Sequence, residues 1–283
     1  KKFADQAKIL QFDVDAAEIN KNIRVTSSVI GDVKEILTRI NEKLTQLDHN
    51  SWVEHVLAYA KTFPLTYHKE GLSGPFVIEK IYEMTKGNAI MVTEVGQHQM
   101  WAAQYYKYSK PRTLLTSGGL GTMGYGLGAA IGAQTANPDR TVVNIAGDGC
   151  FRMNMNELAT ASREKLPLIE VIINNHVLGM VRQWQKLFYG KRYAMTNLRA
   201  GALSRRTDGA EFPEYTPDFV KLAESYGAKG IRVTKTEEIS AAFEEAKKNT
   251  KTPTLIEFII DPEEMVYPMI KPGGTLEDMI MDC

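Results

Sequence analysis

Apolar runs alternate with amphipathic stretches along most of the chain, from residue 76 to residue 260. Runs typical of buried strands lie at 89–93, 141–146, 168–173 and 254–260. Stretches with apolar residues at helical spacing lie at 76–85, 151–165 and 237–248. Strand–helix alternation of this kind predicts an α/β fold, a mainly parallel sheet flanked by helices. In such sheets, ligands bind at the carboxyl ends of the strands.

The first 75 residues carry a shorter version of the same pattern. Two apolar runs, 9–14 and 25–30, predict strands, and Asp32 is placed to cap a following helix, with Glu35 completing a capping box. Pro64 and the GLSGP run at 71–75 then break regularity, so we expect a boundary near 70–75. The predicted organisation is the end of an α/β domain at 1–50, a linker at 51–75 and a second domain at 76–283.

Composition removes several function classes. The chain has 34 Lys and Arg against 34 Asp and Glu, so its formal net charge is zero and favours neither nucleic acid nor an anionic membrane as partner. No apolar run approaches the roughly 20 residues needed to cross a bilayer. The two cysteines, Cys150 and Cys283, cannot form a disulfide framework, which favours a reducing compartment such as the cytoplasm. The chain does not begin with Met and enters a strand pattern almost at once, so we expect it to be the C-terminal part of something longer.

The most informative segment follows the run at 141–146, where the chain reads GDGC and opens a helix. Gly147 and Gly149 permit a tight turn and close approach of a ligand to the backbone. A helix N-terminus offers unpaired N–H groups and a partial positive charge, which suit a phosphate. Asp148 is anionic, so it would reach a phosphate through a hard divalent cation such as Mg²⁺, which prefers oxygen ligands.

A second set of oxygen ligands follows the next predicted strand. Asn174 and Asn175 come directly after 168–173, and 24 residues, 150–173, separate them from the GDG turn. That spacing accommodates one helix and one strand, so the two strand ends can lie side by side. Alone, GDG is a common turn in which Asp is most often a helix cap, and NN is a weaker signal still. Together, both at strand ends, they predict a cofactor site.

This pairing resembles the thiamine diphosphate fingerprint of the transketolase and pyruvate decarboxylase superfamily. Within it, the chain is most similar to the acetohydroxyacid (acetolactate) synthase family, large catalytic subunit. Five further stretches carry that resemblance: QFDVDAAEINKN (11–22), VGQHQMWAAQ (95–104), SGGLGTMGYGLGAAIGAQ (117–134), NNHVLGMVRQWQ (174–185) and DPEEMVYPMIKPGG (261–274). The resemblance implies that 1–50 is the tail of a Rossmann-like, FAD-associated middle domain and that 76–283 has the thiamine diphosphate-binding fold.

The resemblance also implies a metal and diphosphate site. Asp148 and Asn175 would bind Mg²⁺ through their side chains, and Val177 would bind it through its backbone carbonyl. The residues that would line the diphosphate are Gly147, Gly149 and Cys150. Cys150 stands where the family commonly has Ser.

Four other residues would contact the cofactor by the same resemblance. Gln97 and His98 would reach it from another strand end. The carbonyl of Gly121 would accept a hydrogen bond from the aminopyrimidine ring, and Met123 would hold the cofactor in its bent form. Taken alone, Met is more often core filler, and a lone His is more often structural.

Three residues are expected to contact substrate. Met180 and Trp184 are four residues apart and so share one face of a helix. Without the resemblance, ordinary packing of these two side chains is the simpler interpretation. In the family, the positions of Met180, Val181 and Trp184 line the substrate channel, and the tryptophan favours 2-ketobutyrate over pyruvate. The polar segment 196–216 is longer than the family's usual connector, and we expect an exposed loop with solvated Arg199, Arg205 and Arg206.

The activity implied is decarboxylation of pyruvate and condensation of the remaining two-carbon unit with pyruvate or 2-ketobutyrate. Enzymes of this class need a glutamate at N1′ of the cofactor pyrimidine, supplied in the family by the N-terminal domain of a neighbouring subunit, and we find no catalytic residue of this kind in the chain. The resemblance therefore implies a homo-oligomer, either dimer or tetramer, with FAD bound mostly elsewhere. It leaves open a small regulatory subunit.

Two other functions remain open at this point. One is a different thiamine diphosphate-dependent carboligase or decarboxylase, such as glyoxylate carboligase, although Trp184 favours the synthase. The other is a non-catalytic module that holds Mg²⁺ and diphosphate weakly or only packs with a partner.

Overall fold

The structure is a computed structural model that describes residues 3–67, 71–198 and 216–281. The chain divides into two compact units. The first comprises Lys1–Leu65 with Gly273–Asp278, and the second comprises Thr66–Pro272 with Met279–Cys283. Among the described residues, none of the helices is both long and apolar enough to span a membrane.

The first unit contains the strands and the helix predicted from its pattern. Strands β1 (Leu10–Asp13) and β2 (Ser27–Ile30) pair in parallel. Helix α1 (Val33–Asn41) is capped by the side chain of Asp32, which accepts hydrogen bonds from two N–H groups of the first turn. Helix α2 (Asn50–Thr62) begins one residue before the segment predicted to be a linker, 51–75, and fills about its first half. That this unit ends a middle domain stays a prediction.

The second unit is built on one parallel sheet. Its strands are β3 (Ile90–Thr93), β4 (Leu114–Thr116), β5 (Val142–Gly147), β6 (Ile169–Asn174), β7 (Lys229–Val233) and β8 (Thr254–Ile259), and a short antiparallel pair is formed by β9 (Met269–Ile270) and β10 (Met279–Ile280). Its helices are α3 (Gly74–Thr85), α4 (Gln97–Tyr105), α5 (Tyr125–Ala136), α6 (Asp148–Asn154), α7 (Leu158–Arg163), α8 (Gly179–Phe188), α9 (Phe219–Ser225) and α10 (Ile239–Lys248).

The strand order determines where a ligand can bind. The sheet runs β4-β3-β5-β6-β8-β7, with every pair parallel. The connection from β3 runs to β4 on one side, and the next connection runs from β4 back past β3 to β5 on the other side. The crevice between β3 and β5 is therefore the switch point at which ligands bind in open parallel sheets. Gly147 at the end of β5 pairs with Ile173 near the end of β6, which confirms that the two motifs lie side by side.

Side chains on the two faces of the sheet enter separate apolar cores. Val143 and Ile145 of β5 pack with residues of α3, α4 and α10. Val142 and Ala146 of the same strand pack with residues of α5, α6, α7 and α9. Strand residues alternate between faces and both faces are buried, so near-continuous apolar strands are required. The predicted α/β fold with helices on both faces is confirmed.

One predicted helix is wrong. A single helix over 151–165 was expected, but the chain becomes helical at Asp148 and then divides into α6, a 3₁₀ turn (Met155–Glu157) and α7. The break falls at Asn154, whose backbone leaves helical geometry at φ −143° and whose side-chain amide donates to the carbonyl of Gly124 at 3.3 Å. This hydrogen bond ties the break to the glycine-rich segment before α5. Six of these strands and helices were not predicted: α4, α9, β4, β7, β9 and β10.

Candidate functional site

A cleft of about 500 Å³, including its open side, lies at the carboxyl ends of β3, β5 and β6. Eleven of the residues predicted from the sequence line it: Gln97, His98, Met123, Gly147, Asp148, Gly149, Cys150, Asn175, Val177, Met180 and Val181. It occupies the switch point of the sheet, so the fold brings together residues that are up to 84 positions apart in the sequence.

Asp148 begins α6 and is buried, with 4% of its surface exposed. Burial raises the pKa of its carboxyl to about 7, against the lowering effect of the backbone N–H groups of Gly149 and Asp148. Among the described residues, no side chain caps the N-terminus of α6. The nearby charge of Arg152 lowers the pKa as well, but burial outweighs it. A buried carboxylate in this state is suited to a divalent cation, and uncapped N–H groups are suited to an anion.

Asn175 follows the end of β6, the neighbouring strand, and lines the same cleft as Asp148. Its Oδ1 accepts a hydrogen bond from the N–H of Val177 at 3.1 Å, and its Nδ2 donates to Gln97 Oε1 at 3.2 Å. Val177 lies opposite Asn197 in an isolated antiparallel bridge, and the hydrogen bonds of that bridge use backbone atoms of neighbouring residues. The bridge therefore fixes the turn without using the carbonyl of Val177.

Glycines shape the floor of the cleft. A Cβ on Gly147 would lie 2.9 Å from the imidazole of His98, and one on Gly149 would lie 2.7 Å from Leu178 Cδ2 and 3.8 Å from Met123 Cε. A side chain at either position would displace its neighbours. Their absence lets the backbone approach a ligand, and the same contacts place His98 and Met123 beside the GDG turn.

His98 is the clearest unpaired polar group in the cleft. Its side chain is buried, and its Nε2 has no hydrogen-bond partner in the part of the chain that the structure describes. Burial lowers the pKa of the imidazole to about 3, so the ring is neutral at pH 7. Buried polar atoms in native proteins are normally paired, so this atom indicates a polar ligand.

Gln97 lines the cleft, but its amide hydrogens are used within the protein. Nε2 donates to Gln183 Oε1 at 2.9 Å and to the carbonyl of Glu264 at 2.8 Å. Gln183 was missed by sequence reasoning. Its partner Val266 is 83 residues away, and no local pattern signals such a pairing.

Cys150 is buried beside the cleft. Its thiol donates to the carbonyl of Val95 at 2.9 Å, a bond that a serine hydroxyl could also make. Burial raises the pKa of the thiol to about 12, which keeps it protonated. A protonated, hydrogen-bonded thiol is a packing residue and not a nucleophile.

Two predicted residues lie outside the lining of the cleft. Gly121 has φ +71° and lies near Val95, with Val95 Cγ1 3.8 Å from where its Cβ would be. Trp184 lines an adjacent groove, whose other residues are Met180, Val181, Gln185, Tyr189, Arg192, Tyr193 and Ala194. Met180 and Trp184 share that groove, as their spacing on a helix predicted. Arg199, Arg205 and Arg206, most of the loop at 196–216, and Cys283 lie outside the described residues.

Glu94 sits at the end of β3 and is almost fully buried. Its carboxylate accepts hydrogen bonds from the N–H groups of Gly124 at 2.7 Å, Gly126 at 2.8 Å and Leu127 at 3.3 Å. Burial raises its pKa, and these donors oppose that rise. The carboxylate thus caps α5 and is fully occupied in joining it to the sheet.

These observations fit a diphosphate held through a hard cation. A buried carboxylate, an amide oxygen and a nearby backbone carbonyl form an all-oxygen set of the kind that Mg²⁺ accepts. The described residues contain no cluster of three or more His, Cys, Asp or Glu side chains that could hold a metal, so the set depends on Asn175 and the backbone. The glycine turn and the unpaired His98 Nε2 provide room and a polar contact for the rest of the ligand.

The family is decided by comparison with known proteins. Residues 94–258 match the family model described as thiamine pyrophosphate enzyme, C-terminal TPP binding domain. The chain belongs to this family. The matched range begins at Glu94 and includes every site residue predicted from the sequence.

Relatives within the family are similar over nearly the whole chain. The acetolactate synthase large subunit of Corynebacterium glutamicum is 43% identical over 285 residues, which is 98% of this chain and 44% of that protein. Acetolactate synthase 3, chloroplastic, of Brassica napus is 44% identical over 288 residues, covering 99% of this chain and 43% of the relative. The Mycobacterium bovis acetolactate synthase is 40% identical over 286 residues. The chain thus spans less than half the length of these relatives.

Proposed function

We propose that this chain is the part of an acetolactate synthase large subunit that binds thiamine diphosphate and Mg²⁺. The observation that carries the proposal is the cleft in which Asp148 and Asn175 meet at adjacent strand ends, within a chain 40–44% identical to acetolactate synthases. The complete enzyme would decarboxylate pyruvate and join the remaining two-carbon unit to a second 2-ketoacid. Pyruvate as the second substrate gives 2-acetolactate, and 2-ketobutyrate gives 2-aceto-2-hydroxybutyrate, both precursors of branched-chain amino acids.

The metal and diphosphate would be held by the turns after β5 and β6. Asp148, Asn175 Oδ1 and the carbonyl of Val177 are the proposed Mg²⁺ ligands, because they supply one charge and three oxygens at one end of the sheet. Gly147, Gly149 and the first N–H groups of α6 would hold the diphosphate. Asp148 is buried, so binding the cation removes the penalty of keeping its carboxylate charged.

When bound, thiamine diphosphate supplies the electron sink that stabilises the charge left on the 2-ketoacid carbonyl carbon after CO₂ is lost. Met123, which lies beside Gly149, would support the bent cofactor. The neutral imidazole of His98 would donate one hydrogen bond to the cofactor or accept one from it. We propose that the carbonyl of Gly121 contacts the aminopyrimidine. Proton transfer at N1′ would require the glutamate of a neighbouring subunit.

The groove around Trp184 would receive the second 2-ketoacid. It adjoins the cleft through Met180 and Val181, which line both. The indole ring packs edge-on against Phe188 with ring centroids 5.5 Å apart, which holds an apolar surface in place. An extra methyl group contacting such a surface is worth on the order of 1 kcal/mol, enough to favour 2-ketobutyrate over pyruvate.

Three further features of the complete enzyme are proposed on the resemblance. The first is a homo-oligomer, either dimer or tetramer, with the active site between subunits. The second is FAD bound mostly by other parts of the protein, and the third is a small regulatory subunit as partner. A cytoplasmic location agrees with the low cysteine content.

The test is product formation by the full-length gene product supplied with pyruvate, Mg²⁺, thiamine diphosphate and FAD. We expect 2-acetolactate from pyruvate alone, and mostly 2-aceto-2-hydroxybutyrate when 2-ketobutyrate is added at equal concentration. Tartronate semialdehyde from glyoxylate, or free acetaldehyde without condensation, would instead identify a different carboligase or a decarboxylase. Absence of both turnover and cofactor binding would leave the non-catalytic module as the function.

A further inference from the structure

Three side-chain amides and one backbone amide form a continuous chain beneath the cleft. They belong to Asn175, Gln97, Gln183 and Val266, and we refer to them as the amide chain. All four residues are buried, with between 0 and 6% of their surface exposed. A side-chain amide has an oxygen end and a nitrogen end of nearly equal shape, so its orientation is set by its hydrogen-bond partners.

The orientation starts at Val266, whose backbone polarity cannot be reversed. Its N–H donates to Gln183 Oε1 at 2.9 Å, and its carbonyl accepts from Gln183 Nε2 at 2.8 Å. Each end of the Gln183 amide is therefore assigned by a peptide group. The oxygen end, Oε1, also faces Gln97.

Gln97 must then present its nitrogen to Gln183. Its Nε2 donates to Gln183 Oε1 at 2.9 Å and to the Glu264 carbonyl at 2.8 Å, two acceptors that only an NH₂ group can serve. This leaves Oε1 of Gln97 pointing at Asn175, where it accepts from Nδ2 at 3.2 Å. The Asn175 amide is consequently turned with its Oδ1 away from Gln97.

The contact between Gln97 and Asn175 also requires space at one other residue. A Cβ on Gly179 would overlap Gln97 Oε1 and lie 2.6 Å from Asn175 Nδ2. Only glycine at the start of α8 leaves the two amides in contact. The second bond of Asn175, from the N–H of Val177 to Oδ1, agrees with the same orientation.

We infer that Gln97 and Gln183 are positioning residues that hold the oxygen of the Asn175 amide toward the metal site. A flipped Asn175 amide would present its hydrogens to the cation and repel it. The amide chain, which prevents this flip, would therefore set the affinity for the metal. The inference rests on the proposed function, because it needs a cation beside Asp148 and Asn175. It gives Gln97 a role through Asn175 that does not require direct contact with the cofactor.

The test is the Mg²⁺ dependence of thiamine diphosphate binding to the full-length gene product, measured by isothermal titration calorimetry. We expect Gln97→Leu to raise the half-saturating Mg²⁺ concentration by about 10- to 100-fold, the range for outer partners of metal ligands. Gln183→Met removes one of the two acceptors of Gln97 Nε2 and leaves the Glu264 carbonyl and the Gln97–Asn175 contact, so its effect should be smaller. The matched control is Gln104→Leu. Gln104 also lies on α4, and its Nε2 donates to the backbone carbonyl of Tyr267 at 2.9 Å.

A double-mutant cycle separates orientation from general packing. In Asn175→Asp both ends of the side chain are oxygens, so orientation no longer matters. Adding Gln97→Leu should then raise the half-saturating Mg²⁺ concentration by less than about threefold, because Gln97 Oε1 has no donor on Asp and no longer decides which atom faces the cation. Melting temperatures of the metal-free variants show whether each is folded.

The outcomes are distinct. A change below twofold in Gln97→Leu, an equal change in both backgrounds, or an equal change in Gln104→Leu would overturn the inference. If Gln97→Leu does not fold, Gln183→Met is compared with Gln104→Leu instead. A change in the half-saturating Mg²⁺ concentration below twofold in Gln183→Met, or one equal to that of Gln104→Leu, would then overturn the inference. If the unmodified protein shows no Mg²⁺-dependent binding of thiamine diphosphate, the proposed function is wrong and the inference fails with it.

Discussion

The turns after β5 and β6 lie side by side but are built in opposite ways. The first presents Asp148, a charged group that is buried and whose pKa is raised to about 7 because burial outweighs the lowering effects of backbone N–H groups and of Arg152. The second presents Asn175, a neutral group whose amide is bonded at both ends. The Asp148 turn is shaped by glycines, and the Asn175 turn is held by hydrogen bonds to distant parts of the chain.

In the proposed metal site, this difference divides two requirements between two residues. Asp148 supplies attraction, and its cost in the metal-free protein is the energy that a cation recovers on binding. Asn175 supplies no net charge, so it is useful only if its oxygen faces the cation. One proposed ligand is kept in an unfavourable state, and the other is kept in one orientation.

The largest effect is expected from Asp148→Asn, which removes the charge and nearly keeps the shape. Mg²⁺ affinity should fall by more than about 100-fold, beyond the range typical of outer partners. The metal-free variant should be more stable than the unmodified protein at pH 8, by up to about 4 kcal/mol, because a pKa raised from 3.8 to about 7 penalises the folded state above pH 7. Urea unfolding in EDTA and calorimetry measure the two changes.

The opposite result for Asp148→Asn would break the comparison. If the metal-free variant is less stable at pH 8, the carboxylate is stabilised by contacts of its own and is not held at a cost. Repeating the unfolding at pH 4 provides the control, since close to the unfolded pKa of 3.8 and far below the folded pKa of about 7 most of the penalty disappears and the two proteins should differ little.

A second pH effect is expected on the side of the Asn175 turn. Glu264 accepts from Gln97 through its carbonyl, and its side chain accepts from the N–H of Gly74 at 3.0 Å. Burial raises its carboxyl pKa from 4.5 to about 7, so the folded state holds the proton more tightly than the unfolded state. The stability from this group is full below pH 4.5 and lost as the pH rises to 7, a change of about 3 kcal/mol.

Glu264→Gln should remove this fall in the free energy of unfolding. Both proteins carry Asp148→Asn, so that the titration of Asp148 does not contribute to the pH dependence. Urea unfolding between pH 4.5 and 8 measures the difference between the paired proteins. An unchanged pH dependence after Glu264→Gln would mean that the carboxyl does not titrate in this range.

Gly179→Ala should have a smaller effect on stability, about 1–3 kcal/mol, the usual cost of adding a methyl group to a filled site. The added Cβ would separate Gln97 from Asn175, so weaker Mg²⁺ binding should accompany it. Gly128→Ala is the matched control in an α-helix, because nothing lies within 4 Å of where its Cβ would be. Equal Mg²⁺ affinity in the two alanine variants would show that the Asn175 turn does not need this contact.

The frame of the site could be predicted because its signals are local. Gly147–Asp148 and Asn174–Asn175 each follow an apolar run, and strand ends in a parallel sheet converge. Helix α4 was missed because its buried face includes Gln97 and His98, so hydropathy does not reveal the helix. Gln183 was missed because it is selected by Val266, far along the chain, and the cap formed by Glu94 on α5 was missed for the same reason.

The smallest effect is expected at Cys150, which completes the contrast by showing that the Asp148 turn depends on packing and not on reactivity. Its thiol has a pKa of about 12 and donates to the carbonyl of Val95, so iodoacetamide at pH 8 should modify it far more slowly than a free cysteine. Cys150→Ser keeps the donor and should change stability by less than about 0.5 kcal/mol. Both measurements belong in a Cys283→Ser background, in which the folded protein should label slowly and the urea-unfolded protein rapidly. Rapid labelling of the folded protein would mean that the thiol is accessible to solvent. The buried position of Cys150 beside the Asp148 turn would then be wrong.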